Sequence, residues 1–309
     1  MATTTSITTT YAGEFAGKYV SAAILSGSTL ANELITIKPN IKYKEVMKKV
    51  ATDGIVKDAT CDFTATSTVT LTERILQPES FQVNLQLCKK DFQSDWEAVE
   101  MGYSSFDNLP PSFADFLIAH VSAKVASRIE QNIWNGANAT TGQFDGFNVL
   151  LAADSDVVDV SGSPVTAANV ITELGKIVDA IPSTVYGADD LQIYAPANIY
   201  KAYIRALGGF GSSGLGAAGT ENKGTQWYSE GQGLQFDGIP VVFAKGLANE
   251  QAIAAEKSNM FFGCGLMNDQ NEVKVIDMAD LDGSQNVRVV MRFTAGIQYA
   301  VGSDIVWYA

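Results

Sequence analysis

Residues 81–87 (FQVNLQL) alternate apolar and polar without a break, with Phe81, Val83, Leu85 and Leu87 on one side and Gln82, Asn84 and Gln86 on the other. A period of two predicts a half-buried strand. After Pro110-Pro111 the period changes. Phe113, Phe116, Leu117, Val121, Val125, Ile129 and Ile133 recur at helical spacing, Ser112 stands where an N-cap belongs with Asp115 three residues on, and Asn135-Gly136 supplies a stop. The predicted helix, 112–135, is about 35 Å long, which suits a strut more than a globular domain.

A second helix is predicted over Thr166–Ile181 from Ala167, Val170, Ile171, Leu174, Ile177, Val178 and Ile181. A strand follows at Leu191–Ala195. Pro196 then opens a third helix whose apolar face is Ile199, Tyr200, Tyr203, Ile204 and Leu207, ending at Gly208-Gly209. Residues 208–238 form a Gly/Ser-rich loop, too long and polar for a simple connection. Strands resume at Ile239–Ala244, Met260–Cys264, Val273–Met278, Val287–Thr294, Gly296–Val301 and Ile305–Tyr308.

The N-terminal third differs. Residues 1–35 read as an extended arm. Between 36 and 75, Ile37, Ile41, Tyr43, Val46 and Val50 are spread among lysines, Thr-Asp-Gly at 52–54 signals a turn, and 64–72 (TATSTVTLT) is β-branched and nearly uncharged. This predicts a long two-stranded excursion with little core of its own. Isolated hairpins are marginal in water, so such an excursion needs a partner surface. Helices and strands are mixed rather than strictly alternating, and no fixed-period repeat appears, so the class is α+β.

Charge narrows the function classes. Lys plus Arg number 21 and Asp plus Glu 34, a net charge of −13, which repels polyanions at long range and argues against sequence-specific nucleic-acid binding. It still permits a container for DNA, whose wall gains from not gripping its cargo. The three cysteines, Cys61, Cys88 and Cys264, are widely spaced with no CxxC, so they read as buried free thiols rather than a zinc site or a disulfide framework. The Thr-rich start lacks the basic and apolar regions of a signal peptide, and no apolar run reaches membrane-spanning length, so a soluble cytoplasmic protein is expected. The Asn138-Ala-Thr140 sequon carries little weight in that setting.

Motifs for chemistry fail one by one. Gly209-Phe-Gly211-Ser-Ser-Gly214 and Gly214-Leu-Gly216-Ala-Ala-Gly219 fit GxGxxG, but they follow a helix and lead into more loop, so no phosphate would meet a helix N-terminus. Gly13 to Lys18 approaches a P-loop but is one residue short, with Tyr19 in place of Ser or Thr. The single histidine, His120, lies inside the long helix and reads as structural, and no GxSxG elbow exists. Asp277, Asp280 and Asp282 with Gly283 miss the EF-hand register and read as a turn between strands. No enzyme activity, cofactor or metal is expected. Lys38, Lys42, Lys44, Lys48, Lys49 and Lys57 cluster on the excursion, where a solvated or ion-paired face is the simplest reading.

The order of elements, carried by 74–92 (RILQPESFQVNLQLCKKDF), 112–150, 191–207 (LQIYAPANIYKAYIRAL), 236–244 (FDGIPVVFA), 260–266 (MFFGCGL) and 287–308 (VRVVMRFTAGIQYAVGSDIVWY), resembles the tailed-phage major capsid proteins of the Johnson fold, also called the Hong Kong phage capsid fold. The resemblance spans about 36–309. It implies an N-terminal arm at 1–40, an E-loop at 41–76, a peripheral domain at 77–160 and 271–309 with a spine helix at 112–135, and an axial domain at 161–270. It further implies a virion protein that builds pentamers and hexamers of an icosahedral shell around double-stranded DNA, assembled in the host cytoplasm with a separate scaffolding protein, a portal and a cement protein as partners. Inter-subunit contacts are expected at Lys42, Lys44, Lys48, Lys49 and Lys57 of the E-loop, at Gly209, Gly211 and Gly214 of the loop near the symmetry axes, and at Tyr11 of the arm. The alternatives are an encapsulin-type compartment, which would hold an enzyme cargo, and a tail-tube or decoration protein.

Overall fold

A computed structural model describes residues 28–52, 54–59, 61, 65, 66, 68–88, 111–207, 234–265 and 273–309. In chain order its elements are α1 (Ser28–Ala31), β1 (Thr36–Lys38), β2 (Glu45–Thr52), β3 (Val69–Leu76), β4 (Glu79–Cys88), α2 (Pro111–Asn135), α3 (Phe147–Ala152), β5 (Val158–Val160), α4 (Val170–Asp179), β6 (Leu191–Ala195), α5 (Ala197–Leu207), β7 (Gln235–Phe236), β8 (Ile239–Phe243), β9 (Ala252–Glu256), β10 (Met260–Gly263), β11 (Val273–Asp277), α6 (Ala279–Asp282), β12 (Asn286–Tyr299) and β13 (Val306–Tyr308). The chain divides into two compact units. Glu79–Ile129 and Gly265–Ala295 belong to one; Ser28–Pro78, Glu130–Cys264 and Gly296–Ala309 form the other.

In the first unit β12 is the middle strand, antiparallel to β4 on one side and β11 on the other. Val287 lies opposite Leu87, Val289 opposite Leu85, and Met291 opposite Val83. The alternation read from 81–87 therefore puts its apolar side on the same face as the apolar side of β12. That face packs on α2, where Leu117, Val121 and Val125 recur every four residues. Phe81 and Phe293 stack at 5.6 Å on the same side of the sheet. Gly283 closes α6 with φ +69, the left-handed conformation that ends a helix most cheaply at glycine. The turn expected at 277–283 is thus a single helical turn, with the Asp277 carboxylate accepting the Ala279 amide at 3.0 Å.

The second unit holds a mixed six-stranded sheet in the order β5-β13-β9-β6-β8-β7. Helices α4 and α5 pack on it through Val170, Leu174, Ile177, Ile199 and Tyr203. Strand β9 sits between β13 and β6 and is antiparallel to both. A parallel β1–β10 pair continues to residues 296–299 of β12. The C-terminal turns of α2 anchor the start of this unit. Buried Glu130 accepts from the Thr29 amide (3.1 Å) and hydroxyl (2.5 Å), and Trp134 Nε1 donates to the same hydroxyl at 3.0 Å.

Several expectations need correction. Helix α2 begins at Pro111, so Ser112 is inside the first turn and proline takes the first helical position, where its missing N–H costs nothing. Helix α4 begins at Val170, because the Asn169 side chain accepts from the Thr166 amide (2.7 Å) and hydroxyl (2.9 Å) and folds 166–169 into a turn. The two strands expected at 287–294 and 296–301 are one strand, β12, paired opposite β4 through Ala295. Helix α3 and strands β5 and β9 were not anticipated. Of the cysteines only Cys264 is buried, and burial raises its thiol pKa; Cys88 is half-buried and Cys61 exposed, with no disulfide among the described residues. His120 is half-buried in α2.

Candidate functional site

No group of His, Cys, Asp and Glu able to hold a metal exists among the described residues, and no described helix is long and apolar enough to cross a membrane. The feature that stands out is the β2–β3 ribbon, an antiparallel pair that makes a sheet of its own. Its register runs from Glu45 opposite Leu76 to Thr52 opposite Val69. Alternation then assigns two faces. Val46 and Ile75, Lys48 and Glu73, and Val50 and Leu71 share one face with Val69; Met47 and Arg74, and Lys49 and Thr72, share the other.

The first face is aliphatic and open to solvent. Val46, Val50, Val69, Leu71 and Ile75 are between 38% and 64% exposed, far more than a folded chain tolerates at five neighbouring aliphatic positions without use for them. A single ion pair, Lys48–Glu73 at 3.6 Å, crosses the stripe, with both partners more than half exposed. Beyond the end of β2, Ile55 and Val56 are exposed as well.

The second face roots the ribbon. Leu76 is fully buried against Ile41 and Met47, with Phe261 packed alongside. Arg74 forms an ion pair with Asp154 and lies 4.3 Å over the Tyr299 ring, whose hydroxyl donates to the same carboxylate at 2.6 Å. Burial works to raise the Asp154 pKa, but the hydrogen bonds from Tyr299 and the Asp156 amide, with the Arg74 guanidinium, outweigh it and hold the carboxyl below its ordinary value. Burial first, and then the bond to Asp154, push the Tyr299 phenol well up. Gly302 closes over this group: a Cβ there would stand 2.8 Å from the Asp154 carboxylate and 3.3 Å from the Arg74 guanidinium, so any side chain would displace the latch. Lys49 Nζ reaches Ser303 Oγ at 3.3 Å. Beside the latch lies a cleft of about 260 Å³ lined by Lys49, Thr72, Glu73, Arg74, Asp156 and Gly302, among others.

The structure separates the lysines that the sequence grouped. Lys48 pairs with Glu73 on the open face, Lys49 belongs to the root, Lys42 and Lys44 precede β2 with Lys44 5.8 Å from the Tyr43 ring, and Lys57 is exposed beyond the strand. Tyr11, Gly209, Gly211 and Gly214, with the arm at 1–27 and the loop at 208–233, lie outside the described residues. Sequence reasoning missed the latch of Arg74, Asp154 and Tyr299. It also missed that the aliphatic residues of both strands share one face.

No protein-family model matches this chain, and no curated protein matches it. Solved structures do. One from Mycobacterium phage Adephagia superposes with a TM-score of 0.60 at 14% identity, covering 93% of this chain and 91% of its own. The capsid of the native GTA particle gives 0.59 at 10% identity over 92% and 89%. This is a phage capsid fold. The capsid of Cyanophage P-SCSP1u shares it, with a TM-score of 0.52 at 14% identity over 90% of this chain and 86% of that one. The coverage means that the capsid fold accounts for nearly the whole chain.

Proposed function

We propose that this chain is a major capsid protein, a non-enzymatic subunit that assembles with copies of itself into pentamers and hexamers of an icosahedral shell around phage double-stranded DNA. The observation that carries this reading is the aliphatic face of the β2–β3 ribbon, held open to solvent by a charged latch at its root. Fully burying a Val, Leu or Ile side chain is worth about 1.5–3 kcal/mol, and these five are already about half buried, so covering them offers a neighbouring subunit roughly half of that per residue before ordering costs. In this reading 41–76 is the E-loop laid over a neighbour, α2 is the spine, 77–160 and 271–309 form the peripheral domain, and 161–270 is an axial domain whose 208–235 loop lies near the five- and six-fold axes. The arm at 1–40 reaches across to another subunit. A scaffolding protein, a portal and a cement protein are the further partners, and the chain resides in the host cytoplasm until the virion is built.

The test is negative-stain microscopy with light scattering on the purified chain, with and without its scaffolding protein, beside a variant lacking 41–76. Closed particles or five- and six-membered rings from the full chain, and none from a soluble deletion variant, are expected. A full chain that stays monomeric or dimeric under every condition would overturn the reading; normal particles from the deletion variant would overturn the role of the ribbon.

A further inference from the structure

The solvent face of the β4-β12-β11 sheet has a chemistry unlike the rest of this acidic chain. Its apolar face packs on α2, so alternation turns Gln82, Asn84 and Gln86 of β4, Arg288 and Arg292 of β12, and Lys274 of β11 outward, and all six are exposed. The carboxylates of these strands, Glu79 and Asp277, occupy register positions of the other face, opposite Ala295 and Val287. Thus three cations and three amides share a surface to which the described residues of its own strands contribute no acid. Asp282, in the α6 turn, is within electrostatic reach of Arg288 and accepts the Ser284 amide at 2.9 Å. Arg288 Nε donates to Gln86 Oε1 at 3.0 Å, which orients the guanidinium and uses one of its five donors. Arg292 borders a shallow depression of about 340 Å³ lined by Ser80, Phe81, Gln82, Phe293 and Thr294, which adds hydroxyl and amide groups beside the guanidinium.

We infer that this face contacts the phosphate backbone of double-stranded DNA, weakly and without regard to sequence. Guanidinium, ammonium, amide and hydroxyl groups are the set that meets phosphate oxygens and fixes position without reading bases. Arg288 and Arg292, four residues apart on one strand, are spaced about 13 Å along it, so they would engage separate phosphates. A tight protein interface is disfavoured, because the described residues of this face offer no aromatic anchor and its apolar side chains are Ile276 and Val290. Two or three phosphate contacts on a chain of net charge −13 make a low-affinity surface, which orders a cargo without gripping it. The assignment of DNA as the occupant rests on the shell reading; the basic face itself does not.

The experiment is fluorescence anisotropy of a short labelled duplex of arbitrary sequence titrated with the soluble full chain, with light scattering on the same samples to record its assembly state. Affinity is expected to fall roughly ten- to forty-fold between about 50 and 200 mM salt, as two or three released counterions require. R288Q/R292Q should lower the salt slope by about two, R288K/R292K should retain most of the binding, and K201Q/R205Q, at exposed positions of α5, should change nothing. No salt-dependent binding, or binding untouched by R288Q/R292Q in a variant that melts like the wild type, would overturn the inference. Polyglutamate competing as well as DNA at equal charge would reassign the face to an acidic protein segment. Because binding is read on unassembled chain, its failure is distinct from a failure to form shells.

Discussion

Strands β6 and β9 and the ribbon strands β2 and β3 belong to the same unit, yet they solve opposite problems. In the six-stranded sheet the paired residues Ile193 and Ala254 are buried, and α4 and α5 close over the apolar face. In the ribbon the pair Val50 and Leu71 is open to water, and the structure supplies no covering element among its described residues. The sheet is stabilised by what it buries within the chain. The ribbon is fixed at one end by Leu76 and the Arg74 latch, and the rest of its aliphatic surface is exposed among the described residues. On the proposed function, the contrast separates residues that make the subunit from residues that make the assembly.

Substitutions should break that contrast unequally. Ile193→Ala, in β6, removes buried methylenes from a site closed on both faces and should cost about 2–5 kcal/mol in denaturant unfolding of the unassembled chain. Arg74→Ala leaves the Asp154 carboxylate without its cation and should cost about 1–3 kcal/mol, with assembly also impaired because the ribbon loses its set direction. The latch should also titrate. The Asp154 pKa is lowered in the folded state, so its contribution is present above the ordinary value of 3.8 and is lost as pH falls below it through the lowered folded value. Asp154→Asn should flatten that part of an acid-unfolding curve; an unchanged curve would mean that the latch does not contribute there. The smallest stability effect belongs to Val50→Lys with Leu71→Glu, expected within about 0.5 kcal/mol by thermal melting because both sites are exposed and the new charges face each other with opposite sign. Particle yield on the same sample should nonetheless collapse, and a double variant that assembles normally would erase the distinction between the two regions.

What could be read in advance follows the same division. Strand β6 occupies Leu191–Ala195 as the pattern placed it, and α2 and α5 fall within a residue or so of their signals, because proline, glycine and a clean helical period bounded them. Strand β9 (AIAAE) escaped because a strand buried on both faces needs no alternation, and alanine favours helix when nothing packs against it. The excursion was legible as a ribbon in need of a partner, but not its two faces, since register decides which residues lie together. The latch was not legible at all. Asp154 lies 80 residues from Arg74 and 145 from Tyr299, and no local pattern marks a charge whose partners are that distant.

The Lys48–Glu73 pair in the middle of the aliphatic stripe has a further consequence. A flat two-stranded ribbon with a wholly aliphatic face would be prone to stack on its own kind into dry, fibre-like layers. Stacking here would force an ion pair out of water, a penalty that a dry interface between identical ribbons does not recover. A partner surface that meets the pair with polar groups of its own offsets that penalty. On the proposed function, one crossing charge pair thus acts as a gatekeeper, letting the ribbon remain in solution at the high subunit concentrations that building a closed particle demands.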